Sequence, residues 1–140
     1  MFVKQLSVFI ENREGRLEQV TDVIRKENIN ILSLSMADTT EYGLLRMVVS
    51  DPEKAKAALT EGGFSAMLTS VLAVKLEDKV GALHKMTHIL CSQGLNIEYM
   101  YALASADRRA MIVKASDGEA AGKAILEGGM ELYSNEEMCR

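Results

Sequence analysis

Two stretches of this 140-residue chain gather amide, charged and glycine residues closely enough to hold one small charged molecule. The first reads Ile10-Glu11-Asn12-Arg13-Glu14-Gly15-Arg16-Leu17, and the second Leu76-Glu77-Asp78-Lys79-Val80-Gly81-Ala82-Leu83. In each, a polar side chain precedes a glycine turn and a helical stripe follows at once. The backbone N–H groups of Gly15 to Leu17, or of Gly81 to Leu83, then open a helix, where unpaired donors and the positive dipole end favour a carboxylate. Eighteen residues after Asn12 and Asp78 come Asn30-Ile31 and Asn96-Ile97. An asparagine amide both donates and accepts, so Asn12 and Asn30 suit the two charged ends of a zwitterion, whereas Asp78 only accepts. The two copies are therefore expected to differ in ligand, affinity or occupancy. The same residues also read as helix caps, Asn12 and Asp78 at a start and Asn30 and Asn96 at an end.

Other constellations are weaker. His84, His88 and Cys91 share one helix stripe at spacings suited to a zinc-like ion. Their counterparts in the first copy are Glu18, Asp22 and Arg25, so the stripe reads as a solvated face and no metal site is expected. Arg108-Arg109 falls at a hairpin turn and reads as solvated. Met86, Met111 and Met130 stand where the first copy has Val20, Leu45 and Phe64, so they read as core. No nucleophile elbow, phosphate-binding glycine loop or zinc-protease helix is present, and nothing sets a nucleophile or an oxyanion hole beside the histidines. No catalytic residue, no enzyme activity and no cofactor are expected.

The elements that position these residues follow from an internal repeat. A shift of 66 positions, without a gap, lays Asn30-Ile31 on Asn96-Ile97, Ser50-Asp51 on Ser116-Asp117, and Glu61-Gly62-Gly63 on Glu127-Gly128-Gly129. Leu6, Val8 and Ile10, like Leu72, Val74 and Leu76, alternate as in a strand. Leu17, Val20 and Ile24, like Leu83, Met86 and Leu90, recur as one helix face, ending near Asn28 or Gly94. Strands are expected over 30–38 and 43–49, turning across Asp38 to Tyr42, and over 96–104 and 109–115, turning at Ala106 to Arg108. Ser50-Asp51-Pro52-Glu53 and Ser116-Asp117-Gly118-Glu119 start the second helices. A short strand is expected after each glycine pair. The class is α+β, with two ferredoxin-like βαββαβ units. No linker separates them, since Phe64 to Leu76 keeps one strand parity throughout. The units are expected as domains 1–68 and 69–140, packed as one body with antiparallel sheets.

Composition narrows the partners. The formal charge is −4, the chain is 48% hydrophobic, and there is no Trp. Residues 1–66 carry 8 basic and 10 acidic side chains, as do residues 67–140. Neither the field nor the stacking platform for nucleic acid is present. The longest uncharged run, Gly62 to Val74, is shorter than the roughly 20 residues that span a bilayer. No signal peptide is read in the first residues, and Cys91 and Cys139 form no disulfide framework, which predicts a cytoplasmic location.

The paired glycine turns and following asparagines resemble the ACT domain, the amino-acid-sensing module attached to phosphoglycerate dehydrogenase, aspartate kinase and the acetolactate synthase regulatory subunit. The resemblance covers both repeats, and the whole chain is similar to stand-alone bacterial proteins of two tandem ACT domains. One departure is that Glu14 and Val80 stand where many members have proline. The resemblance implies a non-catalytic regulatory protein sensing a free amino acid at the interface between ACT units. Its ligand positions would be Asn12, Gly15, Arg16, Leu17, Asn30 and Ile31, with Asp78, Gly81, Ala82, Leu83, Asn96 and Ile97 in the copy, and walls such as Ile31, Ser33, Ile97 and Tyr99. It further implies a homodimer and an amino-acid metabolic enzyme as partner. The alternative is a regulatory subunit or scaffold of such an enzyme, acting without its own ligand.

Overall fold

The computed structural model describes every residue except Thr39, Thr40, Glu41, Ala104, Ala106 and Arg140, and the side chain of Asp38. The turns expected across Asp38 to Tyr42 and at Ala106 to Arg108 fall partly outside the described residues, as does Ala104, the expected end of the fifth strand. The chain forms two compact units, one of Lys4–Thr69 with Met138 onward, the other of Ser70–Glu137 with Met1–Val3.

The amino-terminal unit runs β1 (Val3–Glu11), α1 (Arg16–Lys26), β2 (Ile31–Asp38), β3 (Tyr42–Val49), α2 (Pro52–Glu61) and the first residues of β4 (Ser65–Lys75). Its strand order is β2-β3-β1-β4. β1 and β2 both pair antiparallel with β3, in a register that sets Leu6 beside Met47 and Glu11 beside Tyr42. Leu6, Val8, Ile10, Leu45 and Met47 share one face with the apolar stripes of both helices, Val20, Ile24, Ala55 and Leu59. Burying these side chains is what holds an amphipathic helix on a sheet. α1 ends where Asn28 takes the left-handed conformation (φ 59), and the N–H of Ile29 reaches back to the Ile24 carbonyl at 3.2 Å. That reach-back satisfies a carbonyl the helix would otherwise leave open. α2 begins under the Asp51 carboxylate, which accepts from the Lys54 N–H at 3.2 Å, with Pro52 in the first turn.

The carboxy-terminal unit repeats the plan with the end of β4, α3 (Ala82–Ser92), β5 (Ile97–Ala102), β6 (Ala110–Ala115) and α4 (Gly118–Glu127), in the order β4-β6-β5. Its core is Leu72, Val74, Met86, Leu90, Val113 and Ile125, with Met111 and Met130 packed against it. Gly94 (φ 70) and the Asp117 carboxylate repeat the stop of α1 and the start of α2. Two expectations are corrected. Leu83 is 40% exposed, and α3 instead buries Ala82 at the head of its stripe. The last strand shrinks to one bridge, Val74 with Leu132, because the chain turns at once into a short helix, α5 (Asn135–Met138). Ser134 and Glu137 start it by exchanging hydrogen bonds, each backbone N–H donating 3.1 Å to the other's side chain. Among the described residues no helix is long and apolar enough to cross a membrane.

A second duplicated device ties each β-hairpin to the preceding helix end. The Asn30 N–H donates to Ser50 Oγ at 2.9 Å, and the Ser50 N–H returns to the Asn30 carbonyl at 2.9 Å. Asn96 and Ser116 repeat it at 3.2 and 2.9 Å. Ser50→Ala and Ser116→Ala each leave an asparagine N–H without its partner, and each is expected to lose about 1 kcal/mol. Urea titration reads this as a lower midpoint at unchanged slope.

Candidate functional site

Each glycine turn joins a strand to a helix. Gly15 (φ 86) and Gly81 (φ 89) stand directly before α1 and α3 in the left-handed region. A Cβ at either would meet nothing within 4 Å, so the conformation alone calls for glycine. Gly15→Ala and Gly81→Ala are therefore expected to cost about 1 to 2 kcal/mol each through the backbone. Thermal unfolding at neutral pH measures it.

The capping alternative for the polar turn residues is not what these turns use. The residue at each cap is the glycine, with no side-chain cap bond. Asp78 is exposed and lies 3.3 Å from Arg109 Nη2, and Arg109 is itself exposed, so it is solvated as expected, with a surface ion pair to Asp78. Arg108 is not solvated, since its side chain is 15% exposed and donates to the Glu137 carbonyl at 2.7 Å. Asn12 is exposed, beside the 3.0 Å pair of Arg13 with Glu11. In the copy Lys79 pairs with Glu77 at 2.7 Å and holds its carboxyl below the usual glutamate value. Glu77 is therefore a carboxylate at neutral pH, paired with Lys79.

Asn30 and Asn96 are exposed, and their backbones are those engaged by Ser50 and Ser116. Ile31, Ile97 and Tyr99 are half-buried, and Ser33 is buried. Within a unit these residues are far from the turn. Glu11 sits beside Tyr42 at one end of β3, while Asn30 sits on Ser50, just past the other end. Eight residues of strand separate the two, about 26 Å at the usual rise. The second copy is built alike, with the N–H of Leu76 on the Arg109 carbonyl and Asn96 on Ser116. A single amino acid cannot touch Asn12 and Asn30 of one unit, or Asp78 and Asn96 of the other.

A cavity lies at each kind of end. In the amino-terminal unit about 420 Å3 opens at the asparagine end, beside Asn30, Ile31 and Arg25. In the carboxy-terminal unit about 540 Å3 opens at the turn, beside Glu77, Lys79, Ala82, Lys85, Arg109 and Met130. Asn12, Gly15, Arg16, Leu17, Asp78, Gly81, Leu83, Asn96 and Ile97 line neither of these. Of the cavity residues, Lys85 carries no expectation from the sequence, Arg109 is expected to be solvated and Met130 to be core, so none of the three is expected at a site. Laying the first copy on the second supplies the signal, because Lys85 stands on Gln19 and Arg109 on Gly43. His84, His88 and Cys91 are exposed on α3, the two rings stacked with centroids 6.0 Å apart.

Two βαββαβ units, each opening its first helix from a left-handed glycine and its second strand from an asparagine, define a pair of ACT domains. The chain belongs to that family: the model of the ACT domain pair matches residues 1–140. It is similar to the crystal structure of protein BT0572 from Bacteroides thetaiotaomicron, at 36% identity over 100% of this chain and 97% of that one, with a TM-score of 0.94. The fold is shared with the regulatory subunit of aspartate kinase from Thermus thermophilus in its ligand-free form, at 20% identity, 89% and 91% coverage and a TM-score of 0.61. It is also shared with that subunit from Thermus flavus, at 20% identity, 90% and 92% coverage and 0.56. A search of the curated proteins gives no match. An ACT pair is a regulatory module.

Proposed function

We propose that this chain is a non-catalytic regulatory protein that binds a free amino acid where ACT units meet. The observation that carries the reading is the carboxy-terminal turn. Helix N–H groups and cations stand beside a carboxylate around a cavity of about 540 Å3, room enough for one amino acid. The carboxylate of the ligand would meet the start of α3 at Ala82 and the cations beside it, and its ammonium the Glu77 carboxylate. Because the turn and the asparagine of one unit are too far apart to share a ligand, the asparagine comes from another ACT unit.

A homodimer is the assembly proposed to supply it. β2 lies at the end of the strand order β2-β3-β1-β4, and its Leu34 and Met36 are 42% and 49% exposed. A bare edge with exposed apolar side chains invites strand pairing. A binder without catalytic groups reports through another protein, and an enzyme that makes or uses the bound amino acid is the proposed listener.

A thermal-shift screen against the twenty amino acids tests the reading. One or a few related amino acids should raise the unfolding temperature, and a flat response to all twenty would refute it. Sedimentation at tens of micromolar should show a dimer, and a 15.4 kDa species alone, with and without ligand, would refute the assembly.

A further inference from the structure

The two turns, although built on one repeat, present different spaces. In the amino-terminal unit the side chain of Arg16, the first residue of α1, lies over the Phe64 ring, its guanidinium carbon 4.7 Å from the centroid. Its Nη1 donates to Gln19 Oε1 at 2.7 Å, and its Nε is buried without a hydrogen-bond partner. The counterparts of Arg16, Gln19 and Phe64 under the 66-residue shift are Ala82, Lys85 and Met130. All three line the cavity of about 540 Å3 at the second turn. Alanine removes the arm that reaches across, and methionine removes the ring it rests on.

We infer that the carboxy-terminal turn is the open half-site, taking an amino-acid zwitterion whose carboxylate meets Lys85, while the amino-terminal turn is filled by the chain's own Arg16. This rests on the amino-acid reading above and adds which turn is used and by what charge. A guanidinium stacked on an aromatic ring and hydrogen-bonded to a neighbour is a favourable arrangement in itself. A ligand at the first turn has to displace it. At the second turn Lys85 makes no ion pair within 4 Å among the described residues and acts on Glu77 only from further off, although it stands in the first turn of α3, where a cation opposes the helix dipole. A bound carboxylate relieves that opposition and sits at the N-terminal end of α3. The ammonium end would share Glu77, a carboxylate lining the same cavity, with Lys79. One amino acid per chain should therefore bind through a turn, not two.

NMR titration of the full-length chain with each of the twenty amino acids tests this, read at backbone amides and at the Arg16 side chain. In the wild type the amides of Gly81 to Lys85 should move, those of Gly15 to Gln19 should stay, and the curve should saturate at one equivalent. Arg16→Ala should open the first turn and bring a second equivalent. Lys85→Gln should weaken binding about tenfold, equivalent to about 1.4 kcal/mol. Equal responses of both turns in the wild type, or a single equivalent in Arg16→Ala, would overturn the inference while leaving amino-acid binding intact. If no amino acid moves either turn, the functional reading falls, and the filled turn is judged by ring current alone. Upfield Arg16 δ-protons that relax in Phe64→Leu support the filled turn, and δ-protons at ordinary positions overturn it.

Discussion

The double variant Asn30→Ala/Asn96→Ala is expected to bind the amino acid found by the screen roughly 5- to 150-fold more weakly than the wild type, a loss of about 1 to 3 kcal/mol. The structural ties of these residues run through the backbone N–H and C=O engaged by Ser50 and Ser116, and alanine keeps both. Stability should therefore change by only a few tenths of a kcal/mol, the ordinary result for an exposed substitution. The side-chain amides are the only groups removed, so a drop in affinity assigns them to the ligand. With Arg16 filling one turn, one of the two single variants should reproduce the whole loss and the other should bind like the wild type. Titration calorimetry with parallel thermal unfolding measures both quantities. Wild-type affinity in the double variant would take both asparagines out of the site.

Local signals in the sequence were dependable wherever a single backbone conformation decided the outcome. Gly15, Gly81, Asn28 and Gly94 are left-handed where the helices begin and end, and Asp51 and Asp117 cap the helices their spacing announced. The 66-residue repeat presents each signal twice, which is why α1 and α3, and α2 and α4, follow one pattern. Ser134-Asn135-Glu136-Glu137 is a capping box equally visible in the sequence, and a helix start at that point leaves room for only a short last strand. What stayed hidden depends on distance in the fold. The partner of Arg108 is a carbonyl 29 residues away. Asn12 and Asn30 match one family site eighteen residues apart, yet β3 runs the length of the sheet between their positions. The cavity at the second turn arises from three side chains on two distant segments, Ala82 and Lys85 on α3 and Met130 after α4, and neither segment alone foretells it.

Leu72→Ala should bring the largest loss of stability among exchanges of one side chain, about 2 to 5 kcal/mol. Leu72 is 1% exposed on β4, paired across to Val113 and clustered with Met86, Leu90 and Ile125. Removing its isobutyl group costs the transfer free energy of the buried atoms and leaves a void that rigid neighbours on a paired strand fill poorly. The repeat supplies an internal check, because Leu6 holds the same place in the amino-terminal core at 0% exposure, so Leu6→Ala should cost a similar amount. Met67 lies on the same strand as Leu72 but is 51% exposed, and Met67→Ala should stay within about 0.5 kcal/mol. Strand propensity changes from the parent residue to alanine in all three variants, so the difference between Leu72→Ala and Met67→Ala isolates burial. Urea unfolding of the three variants measures it, and equal losses at Leu72 and Met67 would place Leu72 outside the core that supports the open turn.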